Sequence, residues 1–235
     1  MRVDGRKPDE LRKISIERHY LINVEGSCLV EFGNTRVICT ATVQKSVPSF
    51  LDPKTQGWIN AEYSMLPRSV NERLSRQRIS GRVYEIQRII GRALRGACAL
   101  ENMPGITVTI DCDVIQADGG TRSASIVGGF VALHDAVRYM LNMGMINVSP
   151  IRHFIGAVSV GVVSGTPLLD LNYDEDSRAE VDMNVVMTEN GEIVELQATG
   201  EDGPFSKENF HKLLRLAEKG IKEIIKIEKK VLEIE

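Results

Sequence analysis

The sequence predicts an internally duplicated α+β fold, and three observations carry that reading. Short apolar runs of strand character are followed by a long helical pattern, and the same order occurs twice along the chain. No linker rich in Pro, Gly or Ser separates the two passes, so halves spanning 1–145 and 146–235 are expected to share one core as a single domain. Hydrophobic residues make up 43% of the 235 positions, too many for a disordered chain and enough for a sizeable core.

The elements follow in order. Residues 14–22 and 27–43 alternate in short apolar runs, and Gly33-Asn34-Thr35 lies between two β-branched stretches. That pattern predicts a hairpin with a glycine-containing turn. A turn-rich segment with Pro48 and Pro53 comes next. Ile86, Ile89, Ile90, Ala93, Leu94 and Ala97 recur at helical spacing and predict a helix over 82–101. Residues 105–115 alternate as a strand, and 122–143 form a second helix, apolar along most of its length and therefore buried. In the second half, 155–163, 166–172, 182–188 and 191–199 have strand character. The last segment, 207–233, is an amphipathic helix with Ser206 as its N-cap and Phe205 and Phe210 spaced as a hydrophobic staple.

Composition excludes several classes of function. With 29 Lys+Arg against 32 Asp+Glu the formal charge is −3, which argues against a simple basic nucleic-acid binder. The N-terminus, MRVDGRKPDELRK, is charged throughout and lacks the apolar core of a signal peptide. No run of apolar residues is long enough for a membrane span. Cys28, Cys39 and Cys112 sit in apolar strand-like runs, and Cys98 completes a set without a CxxC pair. Buried reduced thiols and a cytoplasmic protein are expected. There is no GxSxG elbow, no GxxxxGK[ST] loop and no HExxH. His19, His134, His153 and His211 have no partner at metal-ligand spacing, so they read as surface or structural residues. Any chemistry must come from arginines, carboxylates and glycine-rich backbone.

Three constellations offer it. The first is an arginine cluster: Arg68, Arg73, Arg76, Arg78, Arg82, Arg88, Arg92 and Arg95, opposed only by Glu72 and Glu85. The segment stands at +6 and the rest of the chain at −9. Arginine without lysine favours bidentate phosphate recognition. Arg88, Arg92 and Arg95 share one helix face, which fits a solvated face or an ion-paired subunit interface on one reading and a polyanion-binding surface on the other. Arg82 follows Gly81 where the helix begins, aimed at an anion that the helix dipole would also favour.

The second constellation is Asp118-Gly119-Gly120-Thr121-Arg122-Ser123-Ala124-Ser125, between a strand and the helix from Arg122. Paired glycines admit close backbone approach, and the helix start offers free N–H groups, hydroxyls and a guanidinium. One phosphate fits that set; a plain glycine turn with Thr121 as N-cap fits the spacing equally. The third is acidic: Asp174-Glu175-Asp176-Ser177, then Glu180 and Asp182. Glu180 and Asp182 would face the same way if the following strand extends back that far. An exposed acidic loop and a Mg²⁺ site with one carboxylate free for proton transfer both fit. Two anion cradles beside a carboxylate site would equip a protein for phosphoryl transfer on a polyanion.

The stretches that carry these constellations resemble ribonuclease PH. They are Arg2…Gly5-Arg6 with Leu11-Arg12, VEFGNTRVICTA, GWINAEYSMLPRS, SGRVYEIQRIIGRALR, IDCDVIQADGGTRSASI, EDSRAEVDMNVVMT and GEIVELQATGEDGPFS, and the likeness runs almost end to end. It implies a ribonuclease PH-like fold of the ribosomal protein S5 domain 2-like kind, with mixed sheets packed with helices. It implies a phosphate-dependent 3′→5′ exoribonuclease that trims tRNA precursors, releases nucleoside diphosphates, runs reversibly and works as a homohexamer, a trimer of dimers. By motif position, Arg82 and Gly120-Thr121-Arg122 match the phosphate-binding residues, and Asp176 and Asp182 match the pair assigned to catalysis and Mg²⁺. Inorganic phosphate would be the co-substrate. The leaving oxygen's proton would come from Asp182 or from a metal-bound water. The remaining arginines, Arg68, Arg73, Arg76, Arg88, Arg92 and Arg95, would contact RNA or a neighbouring subunit.

Ser64 and Ser123 replace residues usual in the pattern, and the stretch from Pro67 to Gly81 is shorter than usual, which bears on the RNA path there. The related catalytic subunit of the archaeal exosome is an alternative; it would need a second, inactive partner chain to close its ring. A non-catalytic RNA-binding ring subunit should have lost the phosphate arginines or the aspartates, and all are present.

Overall fold

A computed structural model describes residues 2–76 and 81–234. The first half begins with β1 (Ile14–Arg18), β2 (Gly26–Phe32) and β3 (Thr35–Gln44). The last two form the expected hairpin, with Phe32 paired to Thr35 across the Gly33-Asn34 turn. Next come β4 (Trp58–Met65), α1 (Gly81–Gly96), β5 (Thr107–Gln116) and α2 (Thr121–Asn142). The five strands make one sheet in the order β1-β2-β3-β5-β4, antiparallel except for the parallel β4–β5 pair. That parallel pair needs a crossover, and α1 lies within it.

The second half contains β6 (Ile155–Val163), β7 (Thr166–Leu169), α3 (Tyr173–Asp176), β8 (Val181–Thr188), β9 (Ile193–Gly200) and α4 (Lys207–Leu232). Its sheet has the order β7-β6-β8-β9, antiparallel throughout. The mixed α+β architecture of two sheets packed with helices is therefore as expected. One continuous set of buried apolar side chains runs from Cys28 and Phe32 through Phe130 and Leu133 to Ile155, Met183 and Ile224, so the two sheets share a core.

Helix α2 explains why they can. It is buried on nearly every side, from Ser123 through Leu133 and on to Met140. It lies against β2, β3 and β5 of one sheet and against β6 of the other. The backbone approaches the first sheet so closely at Gly128 that a Cβ there would stand 2.6 Å from the Val30 side chain and 2.7 Å from Cys39 Sγ. Any larger residue at 128 would overpack the core, at a cost of about 1–3 kcal/mol. Helix α4 covers the second sheet with Leu213, Ala217, Ile221, Ile224, Ile225 and Leu232, a stripe at helical spacing. Ser206 caps it, its side chain accepting from Asn209 N at 3.1 Å, and Phe205 and Phe210 both pack on the core.

Four local expectations change. Helix α1 stops at Gly96 rather than running to 101. The next residues are drawn away: Ala97 O accepts from Arg152 N and His153 N, and Cys98 bridges to Ile151. Strand β4 and the four-residue α3 were not expected as elements of the chain. The N-cap of α2 is Gly120, with Thr121 already the first helical residue, so Thr121 is not a cap. The cysteines are free, with Cys28, Cys39 and Cys112 buried. Among the described residues no helix is long and apolar enough to cross a membrane.

Candidate active site

Six segments converge on one place: the first turns of α1 and α2, the end of β4, α3, and the adjacent strands β8 and β9. The loop before α2 sets the geometry. Gly119 and Gly120 both have positive φ, 71° and 65°, and a Cβ on Gly119 would stand 2.6 Å from the backbone of Asn172. Only glycine lets the loop lie this close to the turn that begins α3. Within the described residues, the backbone N–H groups of Gly119, Gly120, Thr121, Arg122 and Ser123 have no acceptor. Five free donors at the start of a helix are suited to an anion.

Side chains complete it. Thr121 Oγ1 lies 2.9 Å from the hydroxyl of Tyr63, which projects from β4. Arg122 donates to Gln197 of β9, and Gln197 Nε2 donates to Glu85 Oε1 at 2.9 Å. This chain ties the α2 guanidinium to α1, one turn from Arg82. Arg82 is exposed, and its charge reaches both Tyr63 and Asp176. Arg82, Gly120, Thr121 and Arg122, dispersed over 40 positions of sequence, are thus brought together.

The acidic run is taken apart by the fold. Successive residues of a helix point about 100° apart. Asp174 turns outward to Arg178, and Glu175 turns inward, where both its oxygens accept from Arg2 at 2.7 Å. Only Asp176 faces the site. Strand β8 begins at Val181, and Glu180 turns aside to accept from Gly165 N at 2.9 Å. Asp182, in β8, is held by Asn184 Nδ2 at 3.1 and 3.3 Å.

The two carboxyls are electrostatically coupled. Burial pushes Asp182 up to about 6, with the charges of Asp176 and Glu201 adding to the shift and Arg122 opposing it. Burial also raises Asp176, against the pull of Arg82 and Arg122. Two mutually repelling carboxylates facing two guanidiniums can take up a proton or a cation. Among the described residues there is no cluster of three or more His, Cys, Asp or Glu that could hold a metal ion. An all-oxygen pair fits Mg²⁺, which commonly takes one or two carboxylates and fills its other positions with water and substrate phosphate.

The other arginines divide. Arg92 is bidentate to Glu195, at 2.6 and 2.9 Å. Arg95 donates to Ile59 O at 2.8 Å and stacks over the Trp58 ring at 4.3 Å. Both guanidiniums are engaged within the chain, Arg92 by a carboxylate and Arg95 by a carbonyl and a ring. Arg68, Arg73, Arg76 and Arg88 are exposed, with no carboxylate partner among the described residues. Arg78 and Ser80 lie outside the described residues.

Sequence reasoning did not single out Tyr63, Gln197, Glu85 or Asn184. Asn184 was within reach, since a residue two along a strand from Asp182 shares its face. Gln197 bonds to residues 75 and 112 positions away, and no local pattern marks it.

Two family models match this chain. The model for the 3′ exoribonuclease family, domain 1, covers residues 10–138, and domain 2 of the same family covers 153–220. Among solved structures the chain is similar to rice (Oryza sativa) Rrp46. The identity is 21% and the TM-score 0.82, with 98% of this chain and 100% of that one covered. It is also similar to a chain of the Archaeoglobus fulgidus exosome with RNA bound to the active site: 22% identity, TM-score 0.84, coverage 96% and 91%. An archaeal exosome core gives 22% identity and a TM-score of 0.78, covering 98% and 91%. These structures share the fold across nearly the whole chain.

Proposed function

The chain belongs to the 3′ exoribonuclease family, and from that premise we propose that it is a phosphate-dependent 3′→5′ exoribonuclease. The observation that carries the proposal is the meeting of five free amides, Arg82, Thr121 and Arg122 with two coupled carboxyls, Asp176 and Asp182.

Inorganic phosphate is already an anionic nucleophile, so no side chain has to activate it. The obstacle is repulsion between two anions. Arg82, Arg122, the Thr121 hydroxyl and the loop amides neutralise the attacking phosphate and orient it. Asp176 and Asp182 would hold Mg²⁺, which supplies positive charge against the scissile phosphodiester. A phosphate oxygen bonds to the terminal phosphorus while the bond from phosphorus to the ribose 3′-oxygen breaks. The leaving oxygen takes up a proton, and the products are a nucleoside 5′-diphosphate and RNA shorter by one nucleotide. That proton would come either from Asp182, whose carboxyl burial raises to about 6 while no metal is bound, or from water at the site. The diphosphate linkage conserves the bond energy, so the reaction runs backward as nucleotide addition.

The exposed Arg68, Arg73, Arg76 and Arg88 support a long RNA, such as a tRNA precursor, lying outside the site in a homohexamer. A second reading is the catalytic subunit of an exosome-like hetero-ring, and the likeness to exosome chains favours it. Incubating RNA with and without phosphate and identifying the released nucleotides tests the reaction: diphosphates appear only with phosphate. Nucleoside monophosphates at equal rate in phosphate-free buffer would refute it. Sedimentation of the chain purified alone separates the assemblies: a hexamer supports the homohexamer, and a species that needs another chain supports the hetero-ring.

A further inference from the structure

The Gly119 and Gly120 amides of the loop before α2 have no acceptor among the described residues, and the carbonyls of Asp118 and Gly119 are held by residues from the other end of the half. Arg12 is buried, with its side chain only 4% exposed. Its Nε and Nη2 donate to the two oxygens of Asp170, at 3.0 and 2.7 Å, and its backbone N–H donates to the same carboxylate at 2.8 Å. The rest of the guanidinium points at the loop. Nη1 donates to Asp118 O at 2.5 Å, and Nη1 and Nη2 both reach Gly119 O at 3.5 Å. Thr35 Oγ1 donates to Gly119 O at 2.6 Å and accepts from Asp118 N at 2.9 Å.

In a trans peptide the carbonyl and the following N–H point in opposite directions. No cis peptide bond occurs among the described residues. Drawing Asp118 O and Gly119 O toward Arg12 and Thr35 therefore turns the N–H groups of Gly119 and Gly120 away from those two side chains. We propose that Arg12, fixed on Asp170 and aided by Thr35, is a positioning residue that presents the loop amides to the attacking phosphate. This rests on the phosphorolytic reading. Arg12 also spans the molecule's two halves, because Asp170 belongs to the turn that leads into α3 and Asp176.

Arg12→Lys and Thr35→Val test it. Lysine keeps a charge for Asp170 but cannot also reach the loop carbonyls with a planar fork. Valine removes the second donor without touching a buried charge. Two affinities are measured for each variant: phosphate, from phosphate-induced thermal stabilisation, and an RNA oligonucleotide in phosphate-free buffer. The expected result is a loss of phosphate affinity of about tenfold or more for Arg12→Lys and a smaller loss for Thr35→Val. KM for phosphate rises in parallel, and RNA affinity stays within about twofold. A folded Arg12→Lys that binds phosphate like wild type overturns the inference. So does a parallel loss of RNA affinity, which marks general disruption. If Arg12→Lys does not fold, Thr35→Val decides by the same two readouts. Should the wild type itself show no phosphate stabilisation and no release of diphosphates, the phosphorolytic reading falls first and takes this inference with it.

Discussion

Arg12 and Arg68 belong to the same half of the chain and are held in opposite ways. Arg12 is locked between Asp170 and two backbone carbonyls, and the loop it braces offers a row of amides at fixed positions. Arg68, with Arg73 and Arg76 beyond it, is exposed and without a carboxylate partner among the described residues. The difference separates two tasks that the sequence presents as one basic character. A small anion about to react must be held in one geometry, and that requires donors whose own positions are paid for by the fold. A long polyanion needs only charge at a suitable density, and exposed guanidiniums supply it while remaining solvated.

The largest effect should come from the inner region. Asp182→Asn removes the negative charge and the titratable proton without changing shape. Turnover should fall by about 10³-fold or more, while RNA affinity in the absence of divalent cations is retained. Steady-state rates and binding on the same preparation check this; near wild-type turnover would remove Asp182 from the mechanism. Next come Arg82→Ala and Arg122→Ala, each expected to cost about 10²–10³ in rate, or roughly 3–4 kcal/mol, as for the loss of one preorganised donor. Arg122→Ala also frees Gln197 from its bond, so Gln197→Ala should repeat part of its effect.

The outer region should behave differently. Replacing Arg68, Arg73 and Arg76 with Ala should weaken binding of long RNA or ring assembly and leave cleavage of a very short oligonucleotide nearly unchanged where the ring persists. The salt dependence of long-RNA binding should flatten by about 0.7 in log–log slope for each lost contact to single-stranded phosphate. An intact assembly with unaltered RNA affinity at every salt concentration would refute both roles for this segment.

What the sequence made legible follows the same division. The β2–β3 hairpin, α2, β6 and α4 are long and periodic, and their residues reveal them. Strand β4 buries Ile59, Ala61 and Tyr63 in alternation with Asn60, Glu62 and Ser64, a period of two that the sequence does carry, although the element was not among those expected. Helix α3 has four residues, too few for any period to show. In the site, Gly119-Gly120 and the aspartates stand out because their chemistry is local. Arg12 does not stand out by its surroundings, because its partners lie 106 to 158 positions away and become neighbours only through the fold. The acidic run misleads for the same reason: Asp174, Glu175 and Asp176 are equivalent in sequence and face three different environments.

The smallest expected effect concerns stability, and it sharpens the contrast between fixed and solvated charge. Asp182 has its carboxyl raised from 3.8 to about 6, chiefly by burial and then by Asp176. A carboxyl with a raised pKa in the fold contributes stability that is fully present below its unfolded value and lost as pH rises through the folded one. In metal-free buffer the wild type should therefore lose stability between about pH 4 and pH 7 relative to Asp182→Asn, which has no such proton to give up. The ceiling is roughly 2–3 kcal/mol, at about 1.4 kcal/mol per pKa unit, and residual solvation of the side chain reduces it. Asp182→Asn should accordingly melt a few degrees higher than wild type at pH 8 and at nearly the same temperature at pH 4. Where the ring persists, the Arg68, Arg73, Arg76 triple variant should melt like wild type at both, because solvated surface charges carry little folding energy. Thermal melts of the three proteins at the two pH values would decide the point. An Asp182→Asn advantage that is absent at pH 8, or equal at both pH values, would show that the carboxyl is not held against its charge in the native site.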